Sequence, residues 1–184
     1  TVTATRSTFA RNHVTSDGEL GGGAIGTNGS VFVLATDFLE NSSGTGPGGA
    51  IWNQHGNVDA IGSDFSSNTA GTQGGAVFAA IHVSVSDGTF SGNSASARGG
   101  AIYAAFDISV TDGSFDENTA GTTGGALFAY SGDVTVDGGA YTDNSAGTDG
   151  GAIDLFSVGT VRVAGATFTG NRAGDGDRKS TRLN

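Results

Sequence analysis

Phe65-Ser66-Ser67-Asn68-Thr69-Ala70-Gly71-Thr72-Gln73-Gly74-Gly75-Ala76-Val77 decides the fold, because the chain repeats it. The next copy runs Phe90-Ser91-Gly92-Asn93-Ser94-Ala95-Ser96-Ala97-Arg98-Gly99-Gly100-Ala101-Ile102. Two marks recur throughout. Gly-Gly-Ala plus an aliphatic residue ends at Ile25, Ile51, Val77, Ile102, Leu127 and Ile153, at spacings of 26, 26, 25, 25 and 26 residues. Phe/Tyr-x-x-Asn begins at Phe9, Phe38, Phe65, Phe90, Phe115, Tyr141 and Phe168, and ends on Asn12, Asn41, Asn68, Asn93, Asn118, Asn144 and Asn171.

Seven and five residues before each aromatic stands an apolar pair, from Val2/Ala4 through Val83/Val85 to Val161/Val163. Alternation at period two puts both members on one face of a strand. A small residue usually follows the asparagine by two, as at Ala70, Ala95, Ala120, Ala146 and Ala173. Each unit therefore predicts three short strands and three turns in about 25 residues. Glycine at this density would break the helices of an ankyrin or tetratricopeptide repeat, and the leucine framework of a leucine-rich repeat is missing. What remains is an all-β, right-handed parallel β-helix of about seven coils. Stacked coils place like on like at about 4.8 Å per step. The aromatics then form an inner file, and the asparagines a turn file suited to left-handed backbone. The paired glycines suit a corner that needs positive φ or close backbone approach.

The two motifs resemble the repeat of the polymorphic outer-membrane proteins, a family of autotransporter adhesins with pectin-lyase-like β-helices. The resemblance covers residues 1–176. It implies a secreted or surface-displayed passenger, located outside the cell or on a bacterial surface. The family's secretion signal and C-terminal membrane barrel are not seen in this stretch, and its motifs carry no catalytic residues.

Composition fits this reading. There are 34 glycines, one proline and no cysteine in 184 residues, so disulfides and thiolate metal sites are excluded. The chain opens inside a repeat without methionine, so both ends are expected to be cut edges, and end-to-end association of the fragment is expected. Residues 177–184, DRKSTRLN, bring the only lysine where the periodicity calls for Gly-Gly. They read like a translated sequencing adapter on a gene fragment from environmental sequencing, and form a separate, non-native tail. Net charge is −10 overall, from 18 acids and 8 basic residues. Removing Asp177, Arg178, Lys179 and Arg182 leaves 17 acids against 5 arginines, or −12. Such a surface repels nucleic acid and anionic lipid, and no apolar run is long enough for a membrane helix.

Chemistry is sparse. A polysaccharide lyase or hydrolase, the alternative on this fold, needs converging carboxylates or a base beside them. Asp87 and Asp112 share one repeat position, and Asp107 and Asp133 another; both read better as solvated turn residues. Arg6, Arg11, Arg98, Arg162 and Arg172 fall at different repeat positions, as do His13, His55 and His82. No catalytic residue, cofactor or metal is assigned, and the reading leans away from an enzyme. Turns between the asparagine and the next Gly-Gly are short, and only Val14 to Leu20 exceeds the norm.

One stripe stands out. The residue after each Gly-Gly-Ala aliphatic should face outward: Gly26, Trp52, Phe78, Tyr103, Phe128 and Asp154. Trp52, Phe78, Tyr103 and Phe128 form the candidate ligand stripe, about 15 Å long from three steps of about 4.8 Å. The ligand would be a glycan or a cell-surface protein. The competing expectation is lateral packing, in which the rings only shield the sheet.

Overall fold

The computed structural model describes residues 1–15 and 20–174. The chain winds as a parallel β-solenoid, and every strand pairs in parallel with its equivalents in adjacent coils. The first sheet has seven strands, from Val2–Thr5 to Val161–Ala164. The second also has seven, from Thr8–Ala10 to Thr167–Thr169, and carries the aromatic motif. A sheet of six strands, from Ile25–Thr27 to Ile153–Leu155, follows the Gly-Gly corners and is here called the Gly-Gly sheet. About six turns are complete. The three-strand unit expected from the repeat gains one element. Residues such as Thr69–Ala70 and Ser94–Ala95, just after the asparagine, form a narrow sheet of five two-residue strands. Two residues carry too little periodicity to be read as a strand.

Register repeats from coil to coil. Val83 pairs with Val58 and Ile108, and Val85 with Ala60 and Val110. Strand alternation buries these residues while Ser84 stays partly exposed. The seven aromatics form the expected file, with successive ring centroids 4.6–5.0 Å apart and ring planes within 5–8° of parallel. Phe38, Phe65, Phe90, Phe115 and Tyr141 are fully buried, whereas Phe9 and Phe168 at the two ends are half-buried.

The asparagines also form one file, but for a different reason than expected. None adopts left-handed backbone; the residue before each does, as at Glu40 (φ 53), Ser67 (φ 55), Glu117 (φ 54) and Asp143 (φ 50). That residue makes the corner, and the asparagine turns its amide inward. The Asn93 amide donates to the Phe65 carbonyl of the preceding coil at 3.0 Å and to Asn118 Oδ1 of the next at 2.9 Å. The same Oδ1 accepts the Asn93 backbone N–H at 3.0 Å. Burial of a primary amide is tolerated because its donors and acceptor are all used.

The two glycines of each corner have separate tasks. Gly99 has φ 64, which a side chain rarely adopts. Its neighbour Gly100 is pressed against the next coil, and a Cβ there would overlap the Gly125 carbonyl oxygen. No helix among the described residues is long and apolar enough to cross a membrane. The tail at 177–184 and residues 16–19 of the longer turn lie outside the described residues.

Candidate binding face on the Gly-Gly sheet

Ile102 and Ala104 of one strand on the Gly-Gly sheet enter the core, so Tyr103 between them lies on the opposite face. The register brings the proposed stripe together: Gly26 pairs with Trp52, Trp52 with Phe78, Phe78 with Tyr103, Tyr103 with Phe128, and Phe128 with Asp154. Phe78 stacks on Tyr103 at 4.9 Å and 6°, and Tyr103 on Phe128 at 5.3 Å and 14°. Phe78, Tyr103 and Phe128 form a second aromatic file, separate from the core, with Trp52 beside Phe78 in register.

That file is not the open platform expected from the repeat. Trp52 is 8% exposed, Tyr103 7% and Phe128 0%; only Phe78 is half-buried. The cause is the Gly-Gly corner. The chain approaching it folds back along the outer face, so that a Cβ on Gly124 would lie 2.9 Å from Phe128 Cβ. Bridges linking Gln73, Arg98, Thr123 and Asp149 align this returning segment from coil to coil. Arg98 completes the cover, its guanidinium 5.3 Å from the Phe128 ring centroid and 5.6 Å from that of Phe156. Burial raises the Tyr103 pKa, Arg98 opposes the rise, and Tyr130 adds to it. The expectation of lateral packing therefore describes most of this stripe, because a two-glycine bend lets backbone lie over it.

Two features beside the stripe escape a reading of the repeat alone. Phe106, Tyr130 and Phe156 are 49%, 44% and 52% exposed on the turns leaving the Gly-Gly sheet, and Tyr130 stacks on Phe156 at 5.4 Å. Their signal is local: they stand three or four residues after the aliphatic, where an earlier coil has Ala80 and Ile81. The second feature is an open recess of about 540 Å³ at the stripe's N-terminal end, lined by Leu20, Gly26, Thr27, Asn28, Trp52 and Gln54, among others.

The ionisable residues serve the coil. Asp87 and Asp112 occupy left-handed corners, at φ 53 and φ 49. Oδ1 of Asp107 accepts the Asp133 N–H at 2.7 Å, and Oδ1 of Asp133 accepts the Thr160 N–H at 2.8 Å. His82 lies 3.2 Å from the other Asp107 oxygen, and Arg11 pairs with Glu40 at 2.9 Å, both at exposed positions. Among the described residues, no three His, Asp or Glu side chains gather where they could hold a metal ion.

Three segments, residues 62–80, 87–105 and 112–130, match the Chlamydia polymorphic membrane protein repeat. These three stretches carry the polymorphic-membrane-protein type of repeat. Each matched segment opens on the left-handed corner after a first-sheet strand, at Gly62, Asp87 or Asp112, and closes just beyond the Gly-Gly sheet. The polymorphic-membrane-protein motif thus takes in both glycine tasks and the asparagine file in one stretch of chain. No curated protein and no solved structure matches the chain.

Proposed function

We propose that this β-solenoid is part of a surface-displayed, autotransporter-type passenger that works as an adhesin, holding a ligand-binding flank away from the cell. The observation that carries the reading is the repeat match at 62–80, 87–105 and 112–130 on an in-register solenoid. Such a coil suits an extended stalk, since each turn is held by its neighbours and length is added one coil at a time. The acidic body favours solubility and disfavours binding to nucleic acid or anionic lipid. The flank formed by the Gly-Gly sheet is the ligand-facing side in this reading, because the described Phe, Tyr and Trp side chains outside the core, apart from Phe32 on the first sheet, gather on and beside it. Partners are a glycan or a cell-surface protein.

The test is surface labelling of cells that express the complete gene with an epitope placed in an exposed turn such as Thr122. Antibody binding to intact cells, lost after brief external protease treatment, is the expected result. Signal only after permeabilisation would overturn display.

A further inference from the structure

We propose that Asn28 is a modification site: in the folded chain it loses its side-chain nitrogen spontaneously, through a cyclic imide closed by the backbone nitrogen of Gly29. Of the chain's eleven asparagines, this is the one followed by glycine. Glycine has no Cβ to crowd the attack and leaves the backbone free to reach the geometry it needs. Asn28 lies exposed on the turn between the strands Ile25–Thr27 and Val31–Leu34. Its carboxamide makes no hydrogen bond to a described residue. The Gly29 N–H donates within the same turn, to Thr27 Oγ1 at 3.1 Å.

The asparagine file provides the contrast. Asn93 and Asn144 precede serine, itself a small residue, but both atoms the reaction needs are committed there. The Ser94 N–H donates to the Asn68 carbonyl at 2.9 Å, and the Ser145 N–H to the Asn118 carbonyl at 2.8 Å, each across to the preceding coil. The Asn93 amide is buried and donates to the Phe65 carbonyl and to Asn118 Oδ1. Attack at the file must wait until a coil opens, whereas attack at Asn28 needs only motion within one turn.

The reaction needs nothing beyond water. Hydroxide takes the Gly29 N–H proton, the nitrogen bonds to Asn28 Cγ, the Cγ–Nδ2 bond breaks, and Nδ2 leaves as ammonia after taking up a proton. Water then opens the imide at either carbonyl, giving aspartate by one route and isoaspartate by the other. One water is consumed and one ammonia released. Both products carry a negative charge at neutral pH, and isoaspartate adds a methylene to the main chain. That added length falls between two anchors, the Thr27 carbonyl, which accepts the Gln54 N–H at 3.1 Å, and the Ser30 carbonyl, which accepts the Val2 N–H at 2.8 Å.

The 184-residue chain would be held at mildly alkaline pH, folded or in guanidinium chloride, and then digested for mass spectrometry, with isoaspartate read by enzymatic methylation. In the folded chain, conversion of amide to acid should be at least about tenfold faster at Asn28 than at Asn93 or Asn144, because the file is protected by its coils. Isoaspartate should accompany it, and the gap should narrow in guanidinium. Gly29→Ala should slow the change by crowding the attacking nitrogen. Gly29 lies outside the left-handed region, but a Cβ there would meet the Thr1 nitrogen at 2.9 Å. Asn28→Gln, at an exposed position, is therefore the second variant; it would have to close a larger ring and should keep its amide. Conversion at Asn28 no faster than at the file, a gap unchanged in guanidinium, aspartate as the sole product, or an undiminished rate in either variant would overturn the proposal.

Discussion

The side-chain nitrogen of Asn118 donates to Asn144 Oδ1 at 2.9 Å and to the Phe90 carbonyl at 2.9 Å, joining three consecutive coils through one amide. Asn118 Oδ1 meanwhile accepts both the backbone N–H and the amide of Asn93, at 3.0 and 2.9 Å. Asn118→Ala would leave several of these buried partners unsatisfied at once, each at about 1–3 kcal/mol. A loss of at least about 3 kcal/mol is expected in chemical denaturation. A loss below about 1 kcal/mol would mean that water replaces the amide, and that the file is not a structural element.

Position along the axis should matter as much as residue type. Phe90 is enclosed by Phe65 at 4.6 Å and Phe115 at 4.8 Å, so Phe90→Ala should open a mid-file cavity costing about 3–5 kcal/mol. Phe9 stacks on Phe38 alone and is half-buried, so Phe9→Ala should cost much less. Equal losses in parallel urea melts would contradict a quasi-one-dimensional solenoid.

Tyr141 is the one member of the core file with a hydroxyl, and that oxygen is buried without a hydrogen-bond partner. Removing an unsatisfied buried hydroxyl relieves its desolvation, so Tyr141→Phe should be stabilising by about 1 kcal/mol. A pH dependence accompanies it. Burial raises the Tyr141 pKa, so the folded state keeps the phenol protonated where the unfolded chain ionises it. Stability is intact below the unfolded pKa near 10. It falls as pH rises from there toward the folded value, with a slope of up to about 1.4 kcal/mol per pH unit. Tyr141→Phe should lose that contribution while keeping the smaller one from Tyr103. Denaturation midpoints at pH 8 and pH 11 measure both effects, and identical pH profiles for the two proteins would refute the assignment.

Arg98 lies over two rings that belong to different coils, Phe128 and Phe156. Arg98→Ala should cost about 0.5–1 kcal/mol through the lost cation–π contact. It should also raise the Tyr103 pKa further, since the arginine now opposes the effect of burial. Spectrophotometric titration of tyrosine ionisation reads the second effect. A downward shift in Arg98→Ala would show that the guanidinium does not act on Tyr103.

The repeat alone determined the solenoid, its coil length, and the files to which the Phe, Asn and Val/Ile residues belong. The reason is physical: in a parallel stack each repeat position meets only its own copies, so periodicity in sequence becomes adjacency in space. Tertiary structure decided what lies over those files. The stripe at Trp52, Phe78, Tyr103 and Phe128 was legible as a row, but its cover was not. Burial of Phe128 depends on how sharply Gly124 and Gly125 fold the approaching chain back, and on where the Arg98 side chain reaches. Left-handed backbone likewise fell to Ser67 and Glu117 rather than to the asparagines after them, because the amide ladder requires those side chains inside.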